Sequence, residues 1–252
     1  MQALPPLSRL GTALFLDFDG TLADLAAQPD AVKIPADLVS LLGRLSAHLG
    51  GALALVSGRR LRDLDEFLAP LQLPVAAEHG AIRRMPDGRL LALAPPALEN
   101  AASTVHALVQ QHPRLRLEIK TAAVALHYRQ APELEGLCLQ LMTEAARRSP
   151  GVELLRGKCV FELKPVGVSK GLAIAAFMAE PPFSDRLPLF AGDDSTDESG
   201  FSVVQSMGGN ALKIGPGPSL ARHRCDTPAQ LRAWLAMGLP ATLARPAPQG
   251  AA

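Results

Sequence analysis

Ala13-Leu14-Phe15-Leu16-Asp17-Phe18-Asp19-Gly20-Thr21-Leu22 is an apolar run that stops at two carboxylates one residue apart. Such a run reads as a buried strand. Side chains alternate along a strand, so Asp17 and Asp19 share a side, and Gly20 lets the backbone turn sharply just beyond. Carboxylates withdrawn from water need a cation or hydrogen-bond donors. Two together point to a hard metal ion, with one carboxylate as nucleophile and the other as acid or base. On these ten residues alone, a polar loop with a capping Asp and a turn Gly is the competing reading.

Outward from this stretch the chain alternates. Leu38, Leu41, Leu42, Leu45 and Leu49 recur at helical spacing before Gly50-Gly51. Ala52 to Val56 is a short apolar strand ending at Ser57-Gly58-Arg59. Leu61, Leu64 and Leu68 mark a second helix, and Val75-Ala76-Ala77 a third strand ending at Glu78-His79-Gly80. Strand, helix, strand, helix, strand is the rhythm of a doubly wound parallel sheet. Ligands bind such sheets beyond the carboxyl ends of the strands, where Asp17, Ser57 and His79 all fall.

The rhythm then changes. A turn at Pro86-Asp87-Gly88, a helix over 97–112, strands over 115–119 and 123–128, a helix over 133–149 and a hairpin over 152–163 predict an antiparallel sheet backed by two helices. The parallel rhythm resumes with a helix opening at Lys170-Gly171. A strand over 187–191 follows, then the acidic run Gly192-Asp193-Asp194-Ser195-Thr196-Asp197-Glu198, a strand over 211–214 and a helix over 228–237. The expected fold is therefore α/β, with core segments 1–82 and 164–252 and an inserted α/β unit at 83–163. The Pro/Ala-rich stretch 240–252 is expected to fray.

Bulk properties narrow the function. The 252 residues are 48% apolar, as in globular proteins. A net charge of +1 and 4% aromatic residues offer neither a basic footprint nor stacking platforms for nucleic acid. Cys138, Cys159 and Cys225 are scattered, which suits reduced thiols rather than a disulfide frame. Neither a signal peptide nor an apolar run of about 20 residues is evident, so a cytoplasmic protein is expected. The pattern predicts a small-molecule substrate and is compatible with a monomer.

Four polar stations share the strand ends or a helix start: Asp17/Asp19, Ser57, Lys170 and Asp193/Asp194. Separately, Ser57-Gly58-Arg59 reads as a turn and Lys170 as a solvated residue. Together they suit phosphoryl transfer to a carboxylate. Two unit charges at about 4 Å interact by about 4 kcal/mol at an effective dielectric near 20, so a phosphate dianion among aspartates requires cationic neutralisation. Asp17, Asp19 and Asp193 would offer oxygens to Mg²⁺. Lys170 would neutralise the nucleophile, and Ser57 with backbone N–H groups would hold phosphate oxygens. Asp17 would then attack phosphorus and Asp19 would move the proton.

These motifs resemble those of the haloacid-dehalogenase-like phosphatases, and more specifically the trehalose-6-phosphate phosphatase family. The closer resemblance is carried by Asp17-Phe18-Asp19-Gly20-Thr21-Leu22 with Pro29-Asp30 and Pro35, Ser57-Gly58-Arg59 and Glu78-His79-Gly80-Ala81. Leu126-His127-Tyr128-Arg129, Gly157-Lys158 with Glu162, Lys170-Gly171 and the acidic run complete it. The resemblance implies a Rossmann-like core, an inserted cap and Mg²⁺-dependent hydrolysis of trehalose 6-phosphate through an aspartyl phosphate. It implies Asp17, Asp19 through its carbonyl, Asp193 and Asp194 at the metal, with Asp194 or Asp197 acting through water or Lys170. Ser57 and Gly58 would lie at the phosphate. Lys120, Arg129 and Glu162 would contact the sugar from the cap, with Arg59 and His79 reaching from the core. Another sugar phosphate, such as sucrose phosphate or a mannosyl phosphoester, is the nearest alternative. A non-catalytic phosphosugar-binding module is a more distant one.

Overall fold

Thr12–Leu16 (β1) is buried at all five residues, as a strand covered on both faces must be. In the computed structural model, which describes residues 4–26 and 31–240, it lies within an eight-stranded sheet. Its neighbours are Leu53–Val56 (β2) and Leu187–Gly192 (β10), both parallel to it. Beyond β2 stands Val75–Ala77 (β3), and beyond β10 stand Asn210–Ile214 (β11) and His223–Cys225 (β12), all parallel. Ile82–Arg84 (β4) and Leu90–Ala92 (β5) finish the other edge in antiparallel sense. The order is β12-β11-β10-β1-β2-β3-β4-β5.

The hairpin expected around Pro86-Asp87-Gly88 therefore extends this first sheet. A second, wholly antiparallel sheet has the order β6-β7-β9-β8. Its strands are Arg116–Ile119 (β6), Val124–His127 (β7), Val152–Gly157 (β8) and Val160–Pro165 (β9). Helices Glu99–Gln111 (α3) and Glu135–Arg147 (α4) cover it, burying Val105, Leu108, Cys138 and Met142 in an apolar core of its own. Around the large sheet lie Leu38–His48 (α1), Leu61–Leu68 (α2), Lys170–Met178 (α5), Glu198–Ser206 (α6) and Pro228–Met237 (α7). Phe15, Phe177 and Phe183 form the aromatic centre of the larger core, with Phe15 and Phe183 rings 5.3 Å apart.

Two elements lack an obvious sequence signal. Helix α6 contains Gly200 and the β-branched pair Val203-Val204, which blur its helical pattern. β12 is only three residues long, too short for alternation to register. Pro29, Asp30 and the stretch after Pro240 lie outside the described residues. No helix among the described residues is long and apolar enough to cross a membrane.

Candidate active site

The parallel strands β1, β2, β3 and β10 end on one side of the sheet, and each delivers one station. Asp17 follows β1 and is 4% exposed. Its Oδ1 accepts a hydrogen bond from Lys170 Nζ at 2.8 Å, and its Oδ2 accepts one from Thr21 Oγ1 at 3.1 Å. Lys170 opens α5, whose N-cap Ser169 accepts from the Leu172 N–H. A helix N-terminus disfavours a cation, so partners must hold Lys170 there. Asp17 is one and Asp197 Oδ1, at 2.7 Å, is the other. Burial would discharge this ammonium, but the two carboxylates outweigh burial and hold its pKa above the ordinary lysine range. Lys170 is a cation at neutral pH.

Oxygens of Asp17, Asp193 and Asp197 lie within 4.8 Å of one another. Burial pushes the Asp17 carboxyl well up; Lys170 opposes that shift, while the charges of Asp197 and Asp193 add to it. Burial, and then the charge of Asp197, push Asp193 up to about 7. Three carboxylates around one ammonium are thus short of positive charge. Donors that are all oxygen, in a partly buried cluster, fit a hard divalent cation. The glycines allow the crowding. At Gly20, with φ +73°, a Cβ would stand 2.2 Å from Asp193 Oδ2; at Gly192 it would stand 2.2 Å from Asp197 Cγ.

Asp19, expected at the metal through its carbonyl, and Asp194 both turn their carboxylates elsewhere. Arg59 grips Asp19 through two bonds, Nε to Oδ2 at 2.6 Å and NH2 to Oδ1 at 2.7 Å. The guanidinium also lies over the Phe67 ring, 4.9 Å from its centroid. Asp194 caps the turn before α6, with its Oδ1 accepting the Ser195 N–H at 2.7 Å. Asp197 occupies the inner position instead. Its Oδ2 accepts the N–H groups of Asp193 and Asp194 at 3.0 and 2.9 Å while its other oxygen meets Lys170. Spacing alone does not separate Asp194 from Asp197; the capping geometry does.

The second sheet roofs this cluster. Lys120 Nζ donates to Glu162 Oε2 at 2.6 Å and to the Gly58 carbonyl at 2.8 Å, so it bridges the two units. Burial opposes the charge on Glu162, but Lys120 and His79 outweigh burial and hold its carboxyl well below the usual range. Glu162 Oε1 is buried and accepts no hydrogen bond among the described residues; His79 Nε2 stands 3.6 Å away. Arg129 donates to the Lys158 carbonyl at 3.1 Å. Asp17, Asp19, Ser57, Gly58, Arg59, His79, Lys120, Arg129, Glu162, Lys170, Asp193 and Asp194 all line one cavity of about 370 Å³. It also takes in Glu118 and His127, paired at 2.8 Å, whose positions carried no separate signal beyond the Leu-His-Tyr-Arg string.

His79 is buried at φ 59°, and its imidazole fills the space over Gly58, where a Cβ would come within 2.7 Å of the ring. Burial lowers its pKa, against the pull of Glu162. An unfolded His79 takes its proton first, so the stability tied to its neutral form is present above the unfolded value and lost as pH falls through the folded one. Its ring resonances should titrate below the 6.5 of an exposed imidazole, and lower still in Glu162→Gln. An NMR midpoint at or above 6.5 would contradict the buried, neutral ring.

The fold and this constellation together define the haloacid-dehalogenase-like class: an acid at the end of a central parallel strand, a lysine against it, and an acidic loop on the next strand. A family model described as trehalose-phosphatase matches residues 15–228, and the chain belongs to that family. It is 44% identical over 227 residues to a trehalose-6-phosphate phosphatase of Escherichia coli, covering 89% of this chain and 85% of that one. It is 46% identical over 206 residues to a probable trehalose-phosphate phosphatase of Sinorhizobium fredii, covering 81% and 78%. Among solved structures it resembles a trehalose-6-phosphate phosphatase related protein at 28% identity and a TM-score of 0.77, covering 89% of this chain and 95% of that one.

Proposed function

We propose that this protein is a phosphomonoesterase that hydrolyses trehalose 6-phosphate to trehalose and inorganic phosphate, with Mg²⁺ as its ion and an aspartyl phosphate on Asp17 as intermediate. The observation that carries the reading is the Asp17–Lys170–Asp197 chain beneath a cavity roofed by Lys120 and Glu162. Asp17, Asp193 and Asp197 would hold the ion, with Asp19 contributing through its carbonyl; when bound, the ion offsets charge on the phosphate. Asp17 is the nucleophile, and Lys170 keeps it ionised and aimed. One Asp17 carboxylate oxygen attacks phosphorus, and the bond from phosphorus to the sugar oxygen breaks. Asp19 delivers the proton to that leaving oxygen. It then takes a proton from water, which attacks phosphorus and restores Asp17. For this, Asp19 must leave its bidentate contact with Arg59. Ser57 and the Gly58 backbone hold phosphate oxygens.

Residues 1–82 and 164–252 serve as catalytic core in this reading and 83–163 as cap, with the β4–β5 hairpin staying on the core sheet. The cap supplies sugar recognition. Glu162 Oε1, buried with no hydrogen bond among the described residues, is the acceptor a sugar hydroxyl would satisfy, with Lys120 beside it as donor. A cytoplasmic location belongs to the same reading, supported by three free thiols.

The test is phosphate release from trehalose 6-phosphate with and without Mg²⁺, beside a panel containing sucrose phosphate and mannosyl phosphates. Chelation should lower turnover by roughly 10²-fold or more, and added Mg²⁺ should restore it. A much higher specificity constant for another disaccharide phosphate would overturn the trehalose assignment. Full turnover in chelator would overturn the metal.

A further inference from the structure

Glu78 directly follows β3 with 1% exposure, yet it belongs to neither the carboxylate cluster nor the phosphate station. Both its oxygens face the smaller unit. Oε1 accepts the Thr121 N–H at 3.0 Å and Oε2 accepts the Ala122 N–H at 2.8 Å. These donors are consecutive, sit between β6 and β7, and directly follow Lys120. Glu78 and His79 both hold left-handed backbone, at φ 49° and 59°. That region is unfavourable for side chains of this kind and persists where the surroundings impose it. The bend turns one side chain to the β6–β7 turn and the other to Glu162. Ala81, Ala122 and Val168 pack as a small separate apolar cluster.

We infer that Glu78 is a positioning residue: its carboxylate fixes the β6–β7 turn on the end of β3 and so sets where Lys120 stands over the phosphate station. Two N–H groups converging on one carboxylate make a charge-assisted, directional contact. Lys120 follows from it, reaching Gly58 on the core and Glu162 on the second sheet. Glutamine has the same shape but only one acceptor oxygen. One buried N–H would then face an amide nitrogen, and the turn would have to move. This inference rests on the reading of the cavity as a phosphosugar site.

It predicts a selective defect. p-Nitrophenyl phosphate can use Asp17, Lys170 and Ser57 without needing Lys120, whereas a sugar phosphate needs both. The sugar probe is whichever phosphate the wild-type enzyme turns over best, so a failed trehalose assignment changes the probe and not the test. In Glu78→Gln the specificity constant for that probe should fall at least tenfold, chiefly through KM. Turnover of p-nitrophenyl phosphate should stay within twofold, and the Thr121 and Ala122 amides should exchange faster with deuterium. Thr121→Pro, which deletes one donor from the opposite side, should give the same selectivity and decides the matter if Glu78→Gln does not fold. Equal losses on both substrates would reduce Glu78 to a structural residue. No loss on the sugar phosphate would overturn the inference outright.

Discussion

Asp17→Asn should abolish phosphate release, with a loss of roughly 10⁴-fold or more, the scale seen when a covalent nucleophile is removed from a working constellation. The asparagine is isosteric, so Thr21 and Lys170 keep a neighbour of the same shape. The fold should not suffer. Burial and the charges of Asp197 and Asp193 raise the Asp17 carboxyl despite Lys170, so losing its charge should not cost the fold. Lys170 keeps its contact with Asp197. A thermal midpoint at or above that of the wild type, with turnover gone, is therefore the expected pair of results. Affinity for the divalent ion, read by calorimetry, should fall with the lost oxygen charge. Unchanged turnover in this variant would end the aspartyl-phosphate mechanism, whatever the substrate.

Lys170→Met should fail in the opposite manner, losing stability along with activity. The lysine is 3% exposed and bonds two buried carboxylates that face few other cations. Replacing it by an apolar chain of similar length preserves volume but leaves Asp17 and Asp197 without their ammonium. Removing one partner of a buried ion pair costs about 3–5 kcal/mol. For a chain of this size that corresponds to roughly 6–20 °C in Tm. Activity should fall by about 10³-fold, because the nucleophile loses both its orientation and its counter-charge. Two further measurements separate this account from simple disruption of packing. Saturating Mg²⁺ should raise the variant's Tm more than the wild type's, since the ion meets a less neutralised cluster. The double variant Asp17→Asn/Lys170→Met should regain part of the lost stability and none of the activity, a non-additivity expected of groups in one network. A Tm within 2 °C of wild type for Lys170→Met would mean that the ammonium carries little of the cluster's charge balance.

The two substitutions thus divide the site between its chemistry and its charge balance. Arg59 adds another layer. By gripping Asp19 it keeps that carboxylate out of the acidic triad, so the two acids of the opening stretch have different partners: Lys170 for one and Arg59 for the other. Different partners suit the different roles proposed for them, one attacking and one shuttling a proton.

Much of this was legible in the chain itself. Strands β1, β2, β3 and β10 and the helices between them follow from apolar runs and helical spacings that depend on local sequence alone. The stations at their ends follow because a parallel doubly wound sheet gathers its strand termini on one side. What remained closed to the sequence depends on direction and contact. Asp194 and Asp197 are both acids in one short run, and only the turn before α6 decides that Asp194 caps the chain while Asp197 faces Lys170. The hairpin β4–β5 has the same local pattern whichever sheet it joins, and its pairing with β3 assigns it to the first. Glu78 reads as part of a turn until Thr121 and Ala122 come against it from 43 and 44 residues away. Residue type and spacing therefore determined the class of chemistry, because charge and periodicity are local properties. Which carboxylate meets which cation was decided only in the folded molecule, because a hydrogen bond depends on a few tenths of an ångström that no local pattern encodes.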